Sequence, residues 1–235
     1  MPTIKKRGRT VKQQTPEEEF RSIAHQVSDL AAAHKKNLII AAAVVVVVLI
    51  AAAGYRLMRS QQEQKAAPLV AIAYSYYSED AGAPNYAKAL DLFLDVQKQY
   101  PSTMNGAIAQ YYVGNCLANL GRYDEALKAY QTFLTKYSGD KFLLGLVYER
   151  IGYANSGLGK QADAVKAFEQ SEKLMGPGVA TMELAQLYEA AGNTAGAQQK
   201  YKVIADKLAG TAGAMDAMGK VQKIAPTPAS PKESK

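Results

Sequence analysis

The 235-residue chain holds few of the side chains that usually carry catalysis or bind metals. Its two histidines, His25 and His34, are spaced so that they do not form a shared ligand face on a helix, and we interpret both as surface residues. Its one cysteine, Cys116, excludes an internal disulfide framework and any zinc site built on several thiolates. Because it lies within a predicted helix, we interpret Cys116 as a small buried residue.

Neighbouring carboxylates are the remaining residues that could do acid–base chemistry. Asp124 with Glu125, and the acidic run 17–19, stand at predicted helix starts, where carboxylates stabilise the positive end of the helix dipole. The sequence contains no glycine-rich phosphate loop, nucleophile elbow or metal-ligand spacing. It therefore predicts no catalytic residues, no metal site, no cofactor and no small-molecule substrate, and we expect a protein that is not an enzyme.

The formal net charge of +7 comes from 28 Lys and Arg against 21 Asp and Glu, and it is distributed unevenly. Residues 1–36 hold eight basic and four acidic side chains, whereas residues 66–225 hold fifteen of each. A nucleic-acid-binding protein concentrates basic charge on its folded domain, so we expect no nucleic-acid partner. Composition predicts a basic disordered arm at 1–14 and a disordered tail at 226–235.

An amphipathic helix is predicted for residues 15–36. Thr15 can cap it, and the acidic run 17–19 suits its first turn. Its apolar residues recur at helical spacing, namely Phe20, Ile23, Val27 and Leu30. Such a helix suits either the membrane surface or a partner's cytoplasmic face.

An uncharged segment at 37–55 predicts a transmembrane helix. Nineteen helical residues rise about 28 Å, which matches the hydrocarbon thickness of a bilayer. Val44–Val48 would favour a strand by propensity, but lipid requires backbone groups to be satisfied within the segment. The predicted anchor residues are Leu38, Ile39, Ile40, Val44, Val48, Leu49 and Ile50, with Tyr55 at the membrane interface.

Basic residues on either side of this segment predict its orientation. Eight precede it, and only Arg56, Arg59 and Lys65 follow closely. The excess predicts a cytoplasmic N-terminus and a C-terminal domain across the membrane. We expect an uncleaved anchor, although Ala51-Ala52-Ala53 resembles a cleavage site and leaves cleavage as an alternative. Residues 56–68 are interpreted as a linker.

A four-fold internal repeat organises residues 69–225. In each copy an alanine precedes an aromatic residue by four positions, which places both on one face of a helix. Alanine lets two antiparallel helices approach closely, and the aromatic ring fills the space beside it. A glycine precedes this helix in three copies, where a tight turn is needed, and Pro84 takes its place in the first copy. The pairs are Ala89 and Phe93, Ala126 and Tyr130, Ala164 and Phe168, and Ala197 and Tyr201.

These helical hairpins resemble tetratricopeptide repeats. The match is best at Gly114 and the run Gly121-Arg122-Tyr123-Asp124-Glu125-Ala126, followed by Tyr130. The resemblance departs from the family pattern because no repeat begins with tryptophan and the last two lack the turn tyrosine. It implies an all-α solenoid of about four hairpins, which bury their apolar faces by stacking. A final capping helix at 211–225 is expected to face the last repeat through Met215, Met218, Val221 and Ile224.

The tetratricopeptide-repeat resemblance also implies a partner-binding concave face on the first helices. This face is rich in Tyr, Met and Leu and nearly free of Lys and Arg, which suits extended or partly unfolded apolar segments. The alternative is that several of its tyrosines belong to the core. The implied face consists of Tyr74, Ser78, Ile108, Tyr111, Asn115, Ala118, Leu146, Glu149, Tyr153, Ser156, Val179, Met182, Gln186 and Glu189.

The order of segments resembles the membrane-anchored repeat subunit that accompanies the bacterial Sec translocon and periplasmic chaperones. The corresponding features are the acidic–aromatic segment 17–20, the apolar run 38–53 and the exit Tyr55-Arg56. The resemblance implies a single-pass protein of the bacterial inner membrane that binds the translocon and unfolded envelope clients. The alternative is a scaffold subunit of another envelope complex, such as the division, outer-membrane assembly or pilus machinery.

Overall fold

A computed structural model describes residues 17, 20, 21, 32, 34–78, 82–137 and 139–224. The predicted arm at 1–14 and tail at 226–235 lie outside these residues, as does most of the predicted helix at 15–36. The chain divides into two compact units, Met1–Met58 and Arg59–Lys235, which are described separately.

Only helices occur as regular elements within the described ranges. Their order places one long helix before eight shorter ones that alternate as hairpins. The helices are α1 (Lys35–Tyr77), α2 (Tyr86–Gln99), α3 (Met104–Asn119), α4 (Tyr123–Lys136), α5 (Lys141–Gly157), α6 (Gln161–Met175), α7 (Val179–Ala190), α8 (Thr194–Lys207) and α9 (Ala212–Ile224).

The first unit contains the apolar part of α1. Every residue from Leu38 to Ile50 is exposed within the protein, although all are apolar. By length and composition, α1 is able to cross a bilayer, and it is the one helix of the described chain that meets this criterion. The exposed apolar surface has no protein partner in this unit that would account for it.

The prediction of a linker at 56–68 is wrong, because these residues are helical and belong to α1. The stretch is rich in Gln, Glu, Lys and Ala, which are strong helix formers. Ala66 and Ala73 are fully buried in the core of the second unit, so this part of α1 packs as the first helix of a hairpin. The polar composition of residues 56–68 indicated a linker, but the packing of Ala66 against the core requires a helix.

Several helix starts in the second unit, among them those of α2, α3 and α5, are capped by the side chain of the preceding residue. Asn85 accepts a hydrogen bond from the backbone N–H of Lys88 (3.0 Å), and Thr103 accepts one from Gly106 (2.8 Å). Asp140 caps α5 in the same way. The start of α3 has a second cap besides Thr103. The Glu63 carboxylate of α1 accepts hydrogen bonds from the backbone N–H groups of Met104 (3.0 Å) and Asn105 (3.1 Å).

The predicted alanine–aromatic pairs form the core of the four repeats. All eight residues are fully buried. In the second repeat, a Cβ atom added at Gly114 of α3 would lie 2.3 Å from the ring of Tyr130 on α4. In the third, a Cβ added at Gly152 would lie 2.6 Å from the Phe168 ring. In these two repeats the aromatic ring of the second helix therefore fills the space that glycine leaves in the first.

The predicted turn glycines adopt the left-handed backbone conformation that the short helix connections require. Gly121, Gly159 and Gly192 have φ angles of 74°, 72° and 72°. In the first repeat Pro84 precedes the capping residue Asn85 instead. The all-α repeat architecture predicted from the sequence is therefore confirmed.

The last helix packs through a different face from the one predicted. It spans Ala212–Ile224, but Met215 and Met218 are 67% and 53% exposed. Ala214 and Ala217 are buried instead, while Val221 and Ile224 pack at the edge of the last core cluster. The prediction for the two methionines was wrong, because close packing against α8 leaves room only for alanine side chains.

The Gly114–Tyr130 contact gives a test of this packing. We expect Gly114→Ala to lower the free energy of unfolding by about 1–3 kcal/mol, because its new methyl group clashes with a buried ring. The matched control is Gly219→Ala in α9, where an added Cβ meets nothing within 4 Å. This control should be stabilised by about 0.5–1 kcal/mol through helix propensity. Urea unfolding of the detergent-solubilised chain, followed by circular dichroism, measures both; equal effects would contradict the packing.

Candidate functional site: a partner-binding pocket

A pocket of about 330 Å³ opens where the first helices of the first three repeats meet. α1 contributes Tyr77, α3 contributes the short row Asn115 to Asn119, and α5 contributes Arg150 with Tyr153. The beginning of α4 closes one side with Tyr123. We call this the Arg150 pocket; its full lining is Tyr77, Asn115, Ala118, Asn119, Tyr123, Tyr130, Arg150, Tyr153 and Ala154.

Arg150 supplies the positive charge of this pocket. Its Nε–H donates a hydrogen bond to the Tyr111 hydroxyl (3.1 Å), and its guanidinium carbon lies 5.7 Å from the centre of the Tyr153 ring. Burial disfavours its charge, but Tyr111 and Glu149 more than compensate, so the pKa of Arg150 is raised. The guanidinium is thus held in place and stays charged.

Glu149 is the nearest carboxylate to Arg150, but it does not form a close bidentate pair with it. Its Oε1 lies 3.7 Å from Arg150 Nη2. Glu149 is only 6% exposed, and burial raises the pKa of its carboxyl group despite Arg150 and with a contribution from Glu183. Because a bidentate carboxylate binds at about 2.7–2.9 Å, the guanidinium retains capacity for a second, better placed carboxylate.

Amide groups stand beside the guanidinium. The Tyr130 hydroxyl donates to Asn115 Oδ1 (2.7 Å), which leaves the Nδ2 group of that amide as the donor that can serve the pocket. Asn119 Nδ2 donates to the backbone carbonyl of Asn115 (2.9 Å). Asn119 Nδ2 also donates to the Tyr77 hydroxyl (3.4 Å), so both of its amide hydrogens are used within the protein. The pocket therefore combines one guanidinium with the free amide donor of Asn115, a set that suits a carboxylate or a peptide carbonyl.

A cluster of tyrosines continues from the pocket along α1 and α3. The Tyr77 and Tyr112 rings meet edge to face with centres 5.0 Å apart, and Tyr112 stacks on Phe93 at the same distance. Tyr74 meets Tyr112 edge to face at 5.4 Å. Burial raises the pKa of Tyr112 to about 12, so its hydroxyl stays protonated. They form an amphipathic wall that suits apolar and aromatic side chains.

The structure brings together only some of the predicted site residues. Asn115 and Tyr153 line the pocket, while Tyr111 and Glu149 contact Arg150. Tyr74 joins the aromatic wall. Ala118 also lines the pocket. Glu189 lies outside it and accepts hydrogen bonds from Tyr201 (2.7 Å) and Lys220 (3.0 Å). Eight other predicted residues, Glu189 included, lie outside the pocket lining: Ser78, Ile108, Leu146, Ser156, Val179, Met182, Gln186 and Glu189.

The most consequential residue that the sequence analysis missed is Arg150. The repeat positions that line the concave face in the tetratricopeptide-repeat family include Glu149 but not Arg150. The predicted face therefore contained almost no cations. In the structure Glu149 is buried and Arg150 lines the pocket. Tyr77, Asn119 and Tyr123 were missed for the same reason, since each lies beside a predicted position or at a helix end. A single arginine within a Tyr- and Asn-rich stretch was the available signal.

Cys116 is fully buried beneath this site, as predicted. Burial raises the pKa of its thiol to about 12, so the reactive thiolate form is suppressed. Among the residues that the structure describes, no group of three or more His, Cys, Asp or Glu is placed to hold a metal ion.

Comparison with known proteins agrees with the repeat geometry. Residues 80–141 match the tetratricopeptide repeat family model. No curated protein sequence matches the chain. The fold is similar to that of a tetratricopeptide repeat protein from Parabacteroides merdae, with a TM-score of 0.56 and 15% identity over 68% of this chain. The match spans 60% of the Parabacteroides chain, which is less than two thirds of its length.

A second similar structure is a Podospora anserina kinesin light chain protein with nearly identical TPR-like repeats. It matches with a TM-score of 0.54 and 14% identity over 68% of this chain and 85% of its own. At these identities the likeness establishes the fold alone. The chain is therefore a tetratricopeptide-repeat solenoid, a fold that serves as a protein-interaction module and is generally non-catalytic.

The raised pKa of Glu149 predicts a pH dependence of stability. Because the folded state binds this proton more tightly than the unfolded state, wild-type stability should fall as pH rises from about 4.5 through the folded pKa. We expect Glu149→Gln to be more stable than wild type at pH 7 and equal to it below pH 4.5. The control Glu125→Gln should show the opposite sign, because its hydrogen bond with Arg122 lowers the pKa of Glu125.

Urea unfolding at pH 4, 5, 6 and 7 measures these differences. A Glu149→Gln protein that is less stable than wild type at pH 7, with an unchanged pH slope, would contradict the assignment of a destabilising buried carboxylate.

Proposed function

We propose that this protein is a single-pass, membrane-anchored interaction module whose Arg150 pocket binds extended segments of partner or client polypeptides. The observation that carries this proposal is the arrangement of the pocket: a fixed guanidinium, the amide donor of Asn115 and a tyrosine wall in one groove. A folded core would cover such a wall, whereas here it borders an open cavity. Tyrosine and arginine are the residues that dominate binding energy at protein interfaces.

The chemistry of the pocket favours a segment that carries both apolar side chains and a carboxylate. The carboxylate, from an Asp or Glu side chain or a chain end, would take the guanidinium edge that Glu149 leaves free. Aromatic or aliphatic side chains would pack on Tyr77 and Tyr74. This ligand differs from the purely apolar client that the sequence implied, because the pocket contains the charged Arg150.

Membrane anchorage by residues 37–55 is supported by the exposure of the apolar part of α1. A helix that is apolar on all sides and exposed would be insoluble unless lipid covers it. The excess of basic residues before the segment supports a cytoplasmic N-terminus and a repeat domain in the periplasm. We therefore place the protein in the bacterial inner membrane.

An accessory role at the Sec translocon fits this combination of features. A membrane-anchored groove on the trans side is placed to receive polypeptides while they are still extended after translocation. The amphipathic segment at 15–36 would contact the cytoplasmic face of the same complex. The pocket would act on newly exported or misfolding envelope proteins, together with periplasmic chaperones.

Site-specific photocross-linking in native membranes tests this function. A photoreactive amino acid at Asn119, which is exposed and lines the pocket, should capture many exported polypeptides. The same probe at Asp95, exposed on α2 and outside the pocket, is the matched control and should capture few. Adding Arg150→Gln should reduce the Asn119 adducts by about tenfold, which corresponds to about 1.4 kcal/mol for a lost charge-assisted hydrogen bond.

Mass spectrometry of the adducts separates the outcomes. A diverse set of exported chains supports client binding. One folded envelope protein at a fixed stoichiometry would instead assign the groove to a scaffold, and equal adducts at Asn119 and Asp95 would contradict the pocket as the binding site.

A further inference from the structure

A second cavity, of about 490 Å³, lies at the edge of the repeat domain where α3 and α5 begin. It is separate from the Arg150 pocket and shares none of its lining residues. Its walls come from the first residue of the second unit, Arg59, from the end of α4 at Lys136, and from the starts of α3 and α5. We call it the edge cavity.

Two carboxylates near the edge cavity, Asp140 and Glu63, cap helix starts. Asp140 accepts hydrogen bonds from the backbone N–H groups of Phe142 (2.8 Å) and Leu143 (3.2 Å). Glu63 caps the α3 start next to Met104. Within the described part of the chain, neither Arg59 nor Lys136 takes part in an ion pair. The cavity therefore presents two cations without a carboxylate partner, which suits an anionic ligand.

Two exposed large apolar side chains belong to the helix starts that border this cavity. Met104 lines the cavity and is 48% exposed, and Phe142, between the lining residues Asp140 and Leu143, is 61% exposed. Cations beside exposed apolar side chains are typical of protein surfaces at the membrane interface, where the ring enters the headgroup region and the cation binds phosphate.

Chain connectivity limits how far the edge cavity can be from the predicted span. Arg59 follows Tyr55 by only four residues, and four residues reach at most about 14 Å even when fully extended. The headgroup layer on one side of a bilayer is itself about 5–8 Å thick. If Tyr55 lies at the interface, Arg59 is within reach of lipid phosphates whatever the orientation of the repeat domain.

We infer that the edge cavity binds the headgroup of an anionic phospholipid, with Arg59 and Lys136 as the phosphate ligands and Phe142 and Met104 against the adjoining lipid. This inference rests on the membrane anchorage proposed above. Headgroup binding would hold the edge of the repeat domain against the bilayer. The Arg150 pocket would then have a defined position relative to the membrane.

A fluorescence experiment with the full-length protein tests the inference. Gly139 lines the edge cavity, and a Cβ added there meets nothing within 4 Å, so Gly139→Cys accepts a bimane label. The native Cys116 is fully buried and its thiol stays protonated, which directs the label to the new cysteine. The labelled protein is reconstituted into phosphatidylcholine vesicles with a headgroup nitroxide quencher, with or without 20 mol% phosphatidylglycerol.

We expect phosphatidylglycerol to increase the quenching of wild type. In Arg59→Ser/Lys136→Ser, the phosphatidylglycerol requirement should rise by about fivefold for each cation removed. The charge-matched control Lys128→Ser/Lys202→Ser changes exposed lysines outside the cavity and should behave as wild type. Circular dichroism confirms that the variants fold, since neither target side chain is buried or paired.

Vesicle flotation in the same samples separates this inference from the proposed anchorage. If the protein floats and the double variant keeps the phosphatidylglycerol response of wild type, the headgroup site is wrong while the anchor stands. A floating wild type whose quenching does not respond to phosphatidylglycerol overturns the site equally. If the protein does not float with vesicles of either composition, both the anchorage and the headgroup site fall.

Discussion

The contact between one buried aromatic ring and a small residue of the preceding helix is the constraint on which each repeat depends. Phe93, Tyr130, Phe168 and Tyr201 are completely buried, and burying one such ring contributes about 1.5–3 kcal/mol. Two of these rings fill space that only glycine leaves open. Because each hairpin buries little apolar surface alone, these contacts also fix how neighbouring hairpins stack.

The Arg150 pocket depends on the same contact. Tyr130 fills the core beside Gly114 with its ring and holds Asn115 with its hydroxyl, so core packing and pocket geometry share one side chain. The α3 and α5 helices approach closely enough for the Tyr111 hydroxyl to accept a hydrogen bond from Arg150. Pocket residues are therefore positioned by helix packing, and not by loops, which makes the groove rigid on the side that would receive a partner.

The repeat architecture was predictable because its determinants are local and periodic. The alanine–aromatic spacing, the turn glycines and the burial of Cys116 all follow from helix geometry and residue size. Arg150 was not predictable in this way, because an error of one residue in assigning positions to a helix face selects its neighbour Glu149 instead. The prediction for Met215 and Met218 was wrong for another reason. Their hydrophobicity indicated that they would be buried, but the buried face of α9 carries Ala214 and Ala217 instead. The stretch at 56–68 is polar and still helical, since it combines high helix propensity with one buried face at Ala66.

We propose that clients bind through the Arg150 pocket, while the membrane segment recruits the protein to its complex. The most direct measurement is quantitative mass spectrometry of what co-purifies with tagged full-length wild type and Arg150→Gln in mild detergent. We expect that both proteins retain translocon subunits and that the variant loses exported client proteins. An identical set of co-purifying proteins for the two would contradict the role of the pocket, and a set without translocon subunits would contradict the proposed site of action.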